Sequence, residues 1–324
     1  MTGVLRLVAL NGVAFLCFGV LVAMAAALAH RNVAARARAL PPSLRARVLI
    51  AWAATPVAIA TAMIVFALWP SLGAALGLTT DHCPAHTGHV HLCLHHLPTR
   101  GPGIVGALGL ATFSIVAGSA LVQGVRSAAL AAILARAKSF ELASGVGVVE
   151  SSRPFAVTVG WFRPGVLVST ALLERLTPTQ LEIVIAHERA HAVRRDALAV
   201  TAARLLTLAH LPSVRRRILA DLTLACEQAC DEVAAQACGD RVLVAETIVA
   251  TERAAASMGP SPAVGLAFGG SEVVGRVESL LAAPIDGVGA RRALWILLAA
   301  GAALASAAPH VHHWTETLVD HLLH

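Results

Sequence analysis

The sequence predicts an α-helical membrane protein with about four membrane-spanning helices, into which a mainly helical α+β domain is inserted. Three observations support this prediction. Of the 324 residues, 57% are hydrophobic and 14% are charged, and the mean hydropathy is +0.72. The apolar residues are concentrated in long runs, and between the third and fourth runs the pattern changes to short strand-like pieces followed by helices. This composition argues against a soluble globular protein.

Three apolar runs in the first part of the chain are each long enough to cross a bilayer. They cover approximately residues 7–29, 48–72 and 103–123. A cleaved signal peptide is the alternative for the first run, which is however longer than a signal core and has no clear cleavage site. We therefore expect residues 1–138 to form a membrane region with an external loop at about 73–101.

The arginines predict the orientation of the chain. Residues 30–47 contain five arginines and no acidic residue, so the positive-inside rule predicts a short cytoplasmic loop. Basic residues also flank segment 139–290, which is therefore expected in the cytoplasm, with both termini outside. Residues 291–324 would hold a fourth helix and an external tail. Because the apolar run 293–308 is short, a surface or re-entrant helix is the alternative there.

Within segment 139–290, strands are predicted at residues 146–149, 155–159 and 166–169, followed by helices. One helix carries the sequence His-Glu-Arg-Ala-His at positions 187–191. Histidines four residues apart project from one helical face and can bind one metal ion, while Glu188 reaches water activated by that metal. The alternative is a pair of structural histidines. The run Thr177-Pro178-Thr179-Gln180 predicts the start of this helix through a capping box and a proline at the first position.

A catalytic zinc site needs a third protein ligand. Glu227 is the best candidate, and Asp231, four residues later on the same helical face, can accept the outer N–H of a ligand histidine. Other carboxylates that could fill the third position are Asp196, Glu232 and Glu246. The nearby cysteines are expected to be small buried residues in a reducing cytosol; they are Cys226, Cys230 and Cys238.

Four blocks in this order resemble the BlaR/MecR-type membrane zinc metallopeptidases. They are residues 160–168, 181–196, 227–231 and 276–281. The resemblance covers about residues 140–285 and implies a gluzincin domain held between membrane helices. It implies zinc ligation by His187, His191 and Glu227, a general base at Glu188 and an orienting carboxylate at Asp231.

The same resemblance implies a biological role. Members of this family relay an external signal and cleave a cytoplasmic protein, typically a DNA-binding repressor. The chain departs from the antibiotic sensors of the family, which carry a penicillin-binding domain with a Ser-x-x-Lys motif. Here the single lysine is Lys138, and Ala135 lies three residues before it. β-Lactam sensing through an acylated serine is therefore not expected.

Eleven of the fifteen histidines fall in the expected external loop and tail. The loop contains His82, Cys83, His86, His89, His91, Cys93, His95 and His96, and the tail contains His310, His312, His313, His321 and His324. Imidazole and thiolate suit transition metals, so these residues are a candidate external metal sensor with a second metal ion. A Cys83–Cys93 disulfide, solvated histidines and a pH sensor are the alternatives.

Together these features predict a zinc endopeptidase of the cytoplasmic membrane that cleaves a cytoplasmic protein, such as a repressor, on an external signal for which a metal ion is the candidate. The alternatives are an HtpX-like quality-control protease and a non-catalytic transmembrane metal receptor. Direct nucleic-acid binding is not expected, because tyrosine is absent and aromatic residues make up 4% of the chain. Candidate oxyanion donors are His210, Arg194 and Arg195.

Overall fold

The computed structural model describes residues 3–78, 103–136, 138–142, 145–256, 270–283, 314–315 and 317. Its elements are α1 (Gly3–Arg38), α2 (Pro42–Ala75), α3 (Gly103–Arg136), β1 (Lys138–Glu141), β2 (Gly147–Val149), β3 (Ala156–Val159), β4 (Gly165–Ser169), α4 (Thr170–Leu173), α5 (Pro178–Arg194), α6 (Asp196–Leu206), a 3-10 turn (Thr207–Ala209), α7 (Pro212–Cys238), α8 (Arg241–Ala256) and α9 (Gly270–Leu281). The predicted run 293–308, the histidine-rich loop and the histidines of the tail lie outside the described residues.

Two of the described helices, α1 and α2, are long and apolar enough to cross a membrane. With 36 and 34 residues, they are about 50 Å long, which exceeds the roughly 30 Å hydrocarbon thickness of a bilayer. Large apolar side chains on them face outward, among them Leu21, Leu28 and Trp69, which are 59%, 85% and 56% exposed. This exposed apolar surface indicates membrane association.

The predicted loop at residues 30–47 is wrong. Helix α1 continues to Arg38 and α2 begins at Pro42, so a link of three residues joins the two helices. Alanine and arginine dominate the end of α1, and both favour helix, while Pro42 occupies the first position of α2, where a missing N–H is tolerated. The arginines therefore lie on the facing ends of a helical hairpin. The predicted third span, residues 103–123, likewise lies within a longer helix, α3, and its crossing of the membrane stays a prediction.

A four-stranded sheet of order β1-β2-β4-β3 supports α5, the helix that carries His187 and His191. Strands β2 and β4 are parallel, and the outer strands pair antiparallel to them. The three predicted strands are confirmed. The added strand β1 is short and exposed throughout, so it lacks the apolar alternation that identifies a strand in a sequence. Val146, Val148 and Val168 pack against Ile185 of α5, which fixes α5 on the sheet.

The predicted start of α5 is confirmed. The Thr177 hydroxyl accepts a hydrogen bond from the Gln180 N–H, and the Gln180 side chain accepts one from the Thr177 N–H. This capping box sets the register in which both histidines of α5 face α7.

Helices α1 and α2 together form the membrane hairpin, and its helix α2 packs directly against α7. Leu49 and Ala53 of α2 form one core with Ile218 and Leu222 of α7, and each is at most 1% exposed. The hairpin and the domain that carries the histidines therefore share a hydrophobic core.

Candidate metal centre

The three predicted ligands converge between α5 and α7. The Nε2 atoms of His187 and His191 lie 3.1 Å apart. Glu227 places Oε2 3.3 Å from Nε2 of His187 and Oε1 3.3 Å from Nε2 of His191. In a tetrahedral zinc site with bonds of about 2.0–2.1 Å, the ligand atoms lie about 3.3–3.4 Å apart. The three side chains therefore offer donors of the type that zinc prefers, and these donors lie close enough together to hold one metal ion.

Carboxylates hold the outer nitrogen of each histidine. Asp231 Oδ1 lies 2.9 Å from Nδ1 of His187. Asp196 Oδ2 lies 2.8 Å from Nδ1 of His191. Because a carboxylate accepts hydrogen bonds, both contacts favour a proton on Nδ1 and leave the Nε2 lone pairs for a metal. Asp196, which the sequence left open as the third ligand, is thus an orienting residue in this geometry.

A left-handed residue brings Asp196 to this position. Arg195, with φ 55° and ψ 41°, ends α5 and begins α6. The chain turns sharply there, so a carboxylate five residues after His191 folds back to it. A continuous helix would separate the two side chains, and no sequence rule predicts a left-handed arginine. Arg194 Nε also contacts Asp196, at 3.1 Å.

Arg276, to which no sequence pattern gives a role, contacts two carboxylates of the site. Its Nε and Nη2 atoms lie 2.8 Å and 2.6 Å from the two oxygens of Asp231, and its Nη1 lies 3.1 Å from Oε2 of Glu227. The side chain is buried. Its signal in the sequence was a cation among the apolar residues Val273, Val277 and Leu280 of α9. The guanidinium fixes both carboxylates and compensates for their buried charge.

Hydrogen bonds outweigh burial in setting the charges of the site. Burial lowers the pKa of His191, but hydrogen bonds to Asp196, Cys230 and Glu227 raise it well above its ordinary value. Burial raises the pKa of Glu227, but hydrogen bonds from the two histidines hold it well below its ordinary value. These shifts favour the ionised carboxylate of Glu227 and the protonated imidazole of His191, and a metal ion would bind the neutral form of that imidazole.

Among the described residues, neither Glu232 nor Glu246 belongs to a group that could hold a metal ion. Glu232 forms a bidentate ion pair with Arg241, and Glu246 is exposed.

A second set of potential donors is formed by His191, Asp196 and Cys230. There the Cys230 Sγ lies 3.5 Å from Asp196 Oδ2, and burial raises the pKa of this thiol to about 11. Cys230 is therefore a protonated donor to Asp196, which agrees with the expected small buried cysteine.

Glu188 is held by the edge strand of the sheet. The Thr158 hydroxyl of β3 lies 2.8 Å from Oε2 of Glu188 and 2.6 Å from its backbone oxygen. Thr158 therefore anchors the expected general base on the side of α5 that faces β3. Thr158 could not be predicted as part of the site, because a threonine in a strand gives no sequence signal of such a contact.

The structure places the three candidate oxyanion donors at different positions around the domain. His210 Nε2 is 3.2 Å from the backbone oxygen of Ala53, at the junction between the hairpin and α7. Arg194 is paired with Asp196, and Arg195 is exposed at the turn between α5 and α6. The Nε2 of His210 and the Nε of Arg194 are thus engaged in these contacts, and a role of either residue as an oxyanion donor stays a prediction.

The site combines two histidines of α5 with a glutamate of α7. A further glutamate, Glu188, lies between the two histidines in the sequence. This arrangement is typical of metallopeptidases. In agreement, residues 121–250 match the model of Peptidase family M48. The matched segment includes the sheet and both ligand-bearing helices and stops before α9. No curated protein and no solved structure matches the chain. The family match and the two apolar helices indicate a membrane-associated metalloprotease.

Proposed function

We propose that the protein is a zinc endopeptidase of the BlaR/MecR type. The observation that carries this proposal is the cluster of three ligand side chains: the two Nε2 atoms lie 3.1 Å apart, and each lies 3.3 Å from a different oxygen of Glu227. A carboxylate also contacts the Nδ1 of each imidazole. Zinc would be held by His187, His191 and Glu227, and Asp231 would keep His187 in the required tautomer.

Zinc in such a site acts as a Lewis acid that activates water and polarises a peptide carbonyl. The protein supplies proton transfer. A carboxylate oxygen of Glu188 accepts a proton from the attacking water and returns it to the departing amine nitrogen. Thr158 holds that carboxylate beside the edge strand, and Arg276 keeps Glu227 and Asp231 in place.

The peptidase domain is proposed to face the cytoplasm. Arg45 contacts α7, so the domain packs against the arginine-rich end of the α1–α2 hairpin, and such ends favour the cytoplasmic side. The substrate is then a cytoplasmic protein, and we propose a DNA-binding repressor. The histidine- and cysteine-rich loop at residues 82–96 would lie outside and receive the signal, for which a transition-metal ion is the candidate.

Zinc content and target cleavage test the proposal separately. Purified full-length protein is expected to hold about one zinc per chain, and His187→Ala and Glu227→Ala are expected to lose it. Glu188→Gln should keep zinc and abolish cleavage, whereas Glu182→Gln, an exposed position on the same helix, should change neither. Wild-type cleavage by Glu188→Gln would refute the catalytic proposal.

The proteome of cells that produce Glu188→Gln identifies the substrate. Accumulation of one small DNA-binding protein is expected for a repressor-cleaving protease. Accumulation of many membrane proteins would instead support the HtpX-like alternative. An unchanged proteome together with intact metal signalling would support a non-catalytic receptor.

A further inference from the structure

A hydrogen-bonded chain connects the membrane hairpin to the metal centre. Arg45, near the start of α2, donates from Nη1 to Oε1 of Gln228 over 2.8 Å. Gln228 donates from Nε2 to the backbone oxygen of Gly275 in α9 over 2.8 Å. Gln228 is adjacent in sequence to Glu227, and Gly275 is adjacent to Arg276. Three helices therefore meet at one buried amide.

The chemistry of the two partners fixes the orientation of this amide. A guanidinium only donates hydrogen bonds and a backbone carbonyl only accepts them, so the Gln228 oxygen must face Arg45 and its nitrogen must face Gly275. Gln228 is 6% exposed, and water is therefore a poor replacement for either partner. Loss of one contact leaves a buried polar group without its partner, which is costly.

This hydrogen-bonded chain reaches Glu227 by two routes, one through α7 and one through α9. Gln228 shares the backbone of α7 with Glu227. On the other side, Arg276 follows Gly275 in α9 and contacts Oε2 of Glu227 at 3.1 Å. The carboxylate is thus fixed through its own helix and through α9.

We propose that Arg45 and Gln228 are positioning residues for Glu227, so that the place of the membrane hairpin against α7 sets the affinity of the site for metal. This inference rests on the proposed role of Glu227 as a zinc ligand. The interface between α2 and α7 also contains an apolar core and a charge interaction of Arg45 with Asp221 of α7, and neither depends as steeply on distance and direction as a hydrogen bond does. A hydrogen bond of 2.8 Å, in contrast, is lost when its partners separate by about 1 Å. The polar chain is therefore the part of the interface that responds to small displacements of the hairpin.

A double-mutant cycle on full-length protein in detergent tests the proposal. Arg45→Met and Gln228→Met keep the length of each side chain and remove its hydrogen bonds. Zinc affinity is measured by competition with a chelator. We expect each variant to weaken zinc binding by about ten- to hundredfold, as for other residues that orient metal ligands, and the double variant to be no weaker than the weaker single one. Arg47→Met, an exposed position on the same helix, should bind zinc as the wild type does.

Wild-type zinc affinity in both single variants would overturn the proposal, as would losses that multiply in the double variant. A purely structural role would lower the unfolding temperature of the metal-free protein and leave the zinc affinity of the folded protein unchanged. Arg45 is half-buried, so Arg45→Met carries the test if Gln228→Met does not fold. Unchanged zinc content in His187→Ala would instead refute the proposed function itself.

Discussion

Thr158 determines the position of the proposed general base through a single hydroxyl group. Thr158→Val keeps the shape of the side chain and removes the hydroxyl, whose proton is shared between the backbone oxygen and the carboxylate of Glu188. A hydrogen bond to a charged group contributes about 1.5–3 kcal/mol, so we expect kcat for target cleavage to fall by about ten- to hundredfold. Zinc content should stay unchanged, and Thr158→Ser should retain most of the activity. Loss of zinc in Thr158→Val would show that the threonine supports the metal site as a whole.

Arg276 stabilises two buried carboxylates at once. Arg276→Met would leave Glu227 and Asp231 without their cation, and breaking a buried ion pair typically costs about 3–5 kcal/mol. We expect a fall of this size in the free energy of unfolding, measured by denaturant titration in detergent, together with weaker zinc binding. Arg253→Met, at an exposed position of α8, is the matched control and should change stability by less than about 0.5 kcal/mol. Equal stabilities of the two variants would contradict this account of the site.

At the level of elements, the turn between β3 and β4 places the edge strand beside α5. Gly160 has φ 101°, and a Cβ atom there would lie 2.8 Å from the backbone oxygen of Arg163. Gly160→Ala must therefore displace the turn, and we expect a loss of about 1–3 kcal/mol in stability and reduced cleavage through Thr158. Gly165→Ala, where an added Cβ meets nothing within 4 Å, is the control. Similar unfolding curves for both variants would show that the turn tolerates a side chain.

The sequence predicted those elements that depend on residues close to one another in the chain. The start of α5 follows from Thr177 and Gln180, and the strands follow from short apolar runs between turn residues. The loop at residues 30–47 was predicted from charge alone, although the alanines between the arginines favour helix. The contact of Asp196 with His191 requires a left-handed Arg195, and the contacts of Arg276 depend on how α9 packs against α7. Such tertiary arrangements leave no periodic pattern in the sequence.

At the level of the whole molecule, the peptidase domain depends on the membrane hairpin for part of its core. Segment 139–290 produced alone would expose Ile218 and Leu222, which pack against α2 in the full chain. We expect this segment to aggregate or bind detergent, and to bind zinc more weakly than the full-length protein, since it also lacks Arg45. Size-exclusion chromatography and zinc competition check this expectation. A soluble, monomeric segment with full zinc affinity would show that the domain folds independently of the hairpin.

The orientation of the hairpin decides which proteins the site can reach. Its two ends can be labelled separately, because Ala39 in the short link is exposed and Leu78 at the other end of α2 is 73% exposed. In intact cells that carry serine at Cys83 and Cys93, a membrane-impermeant maleimide should label Leu78→Cys and spare Ala39→Cys, and lysis should expose both. This outcome follows from the arginines beside the link. The reverse labelling would put the peptidase domain outside the cell, where a cytoplasmic repressor is out of reach and a protease acting on external proteins becomes the better explanation of the same site.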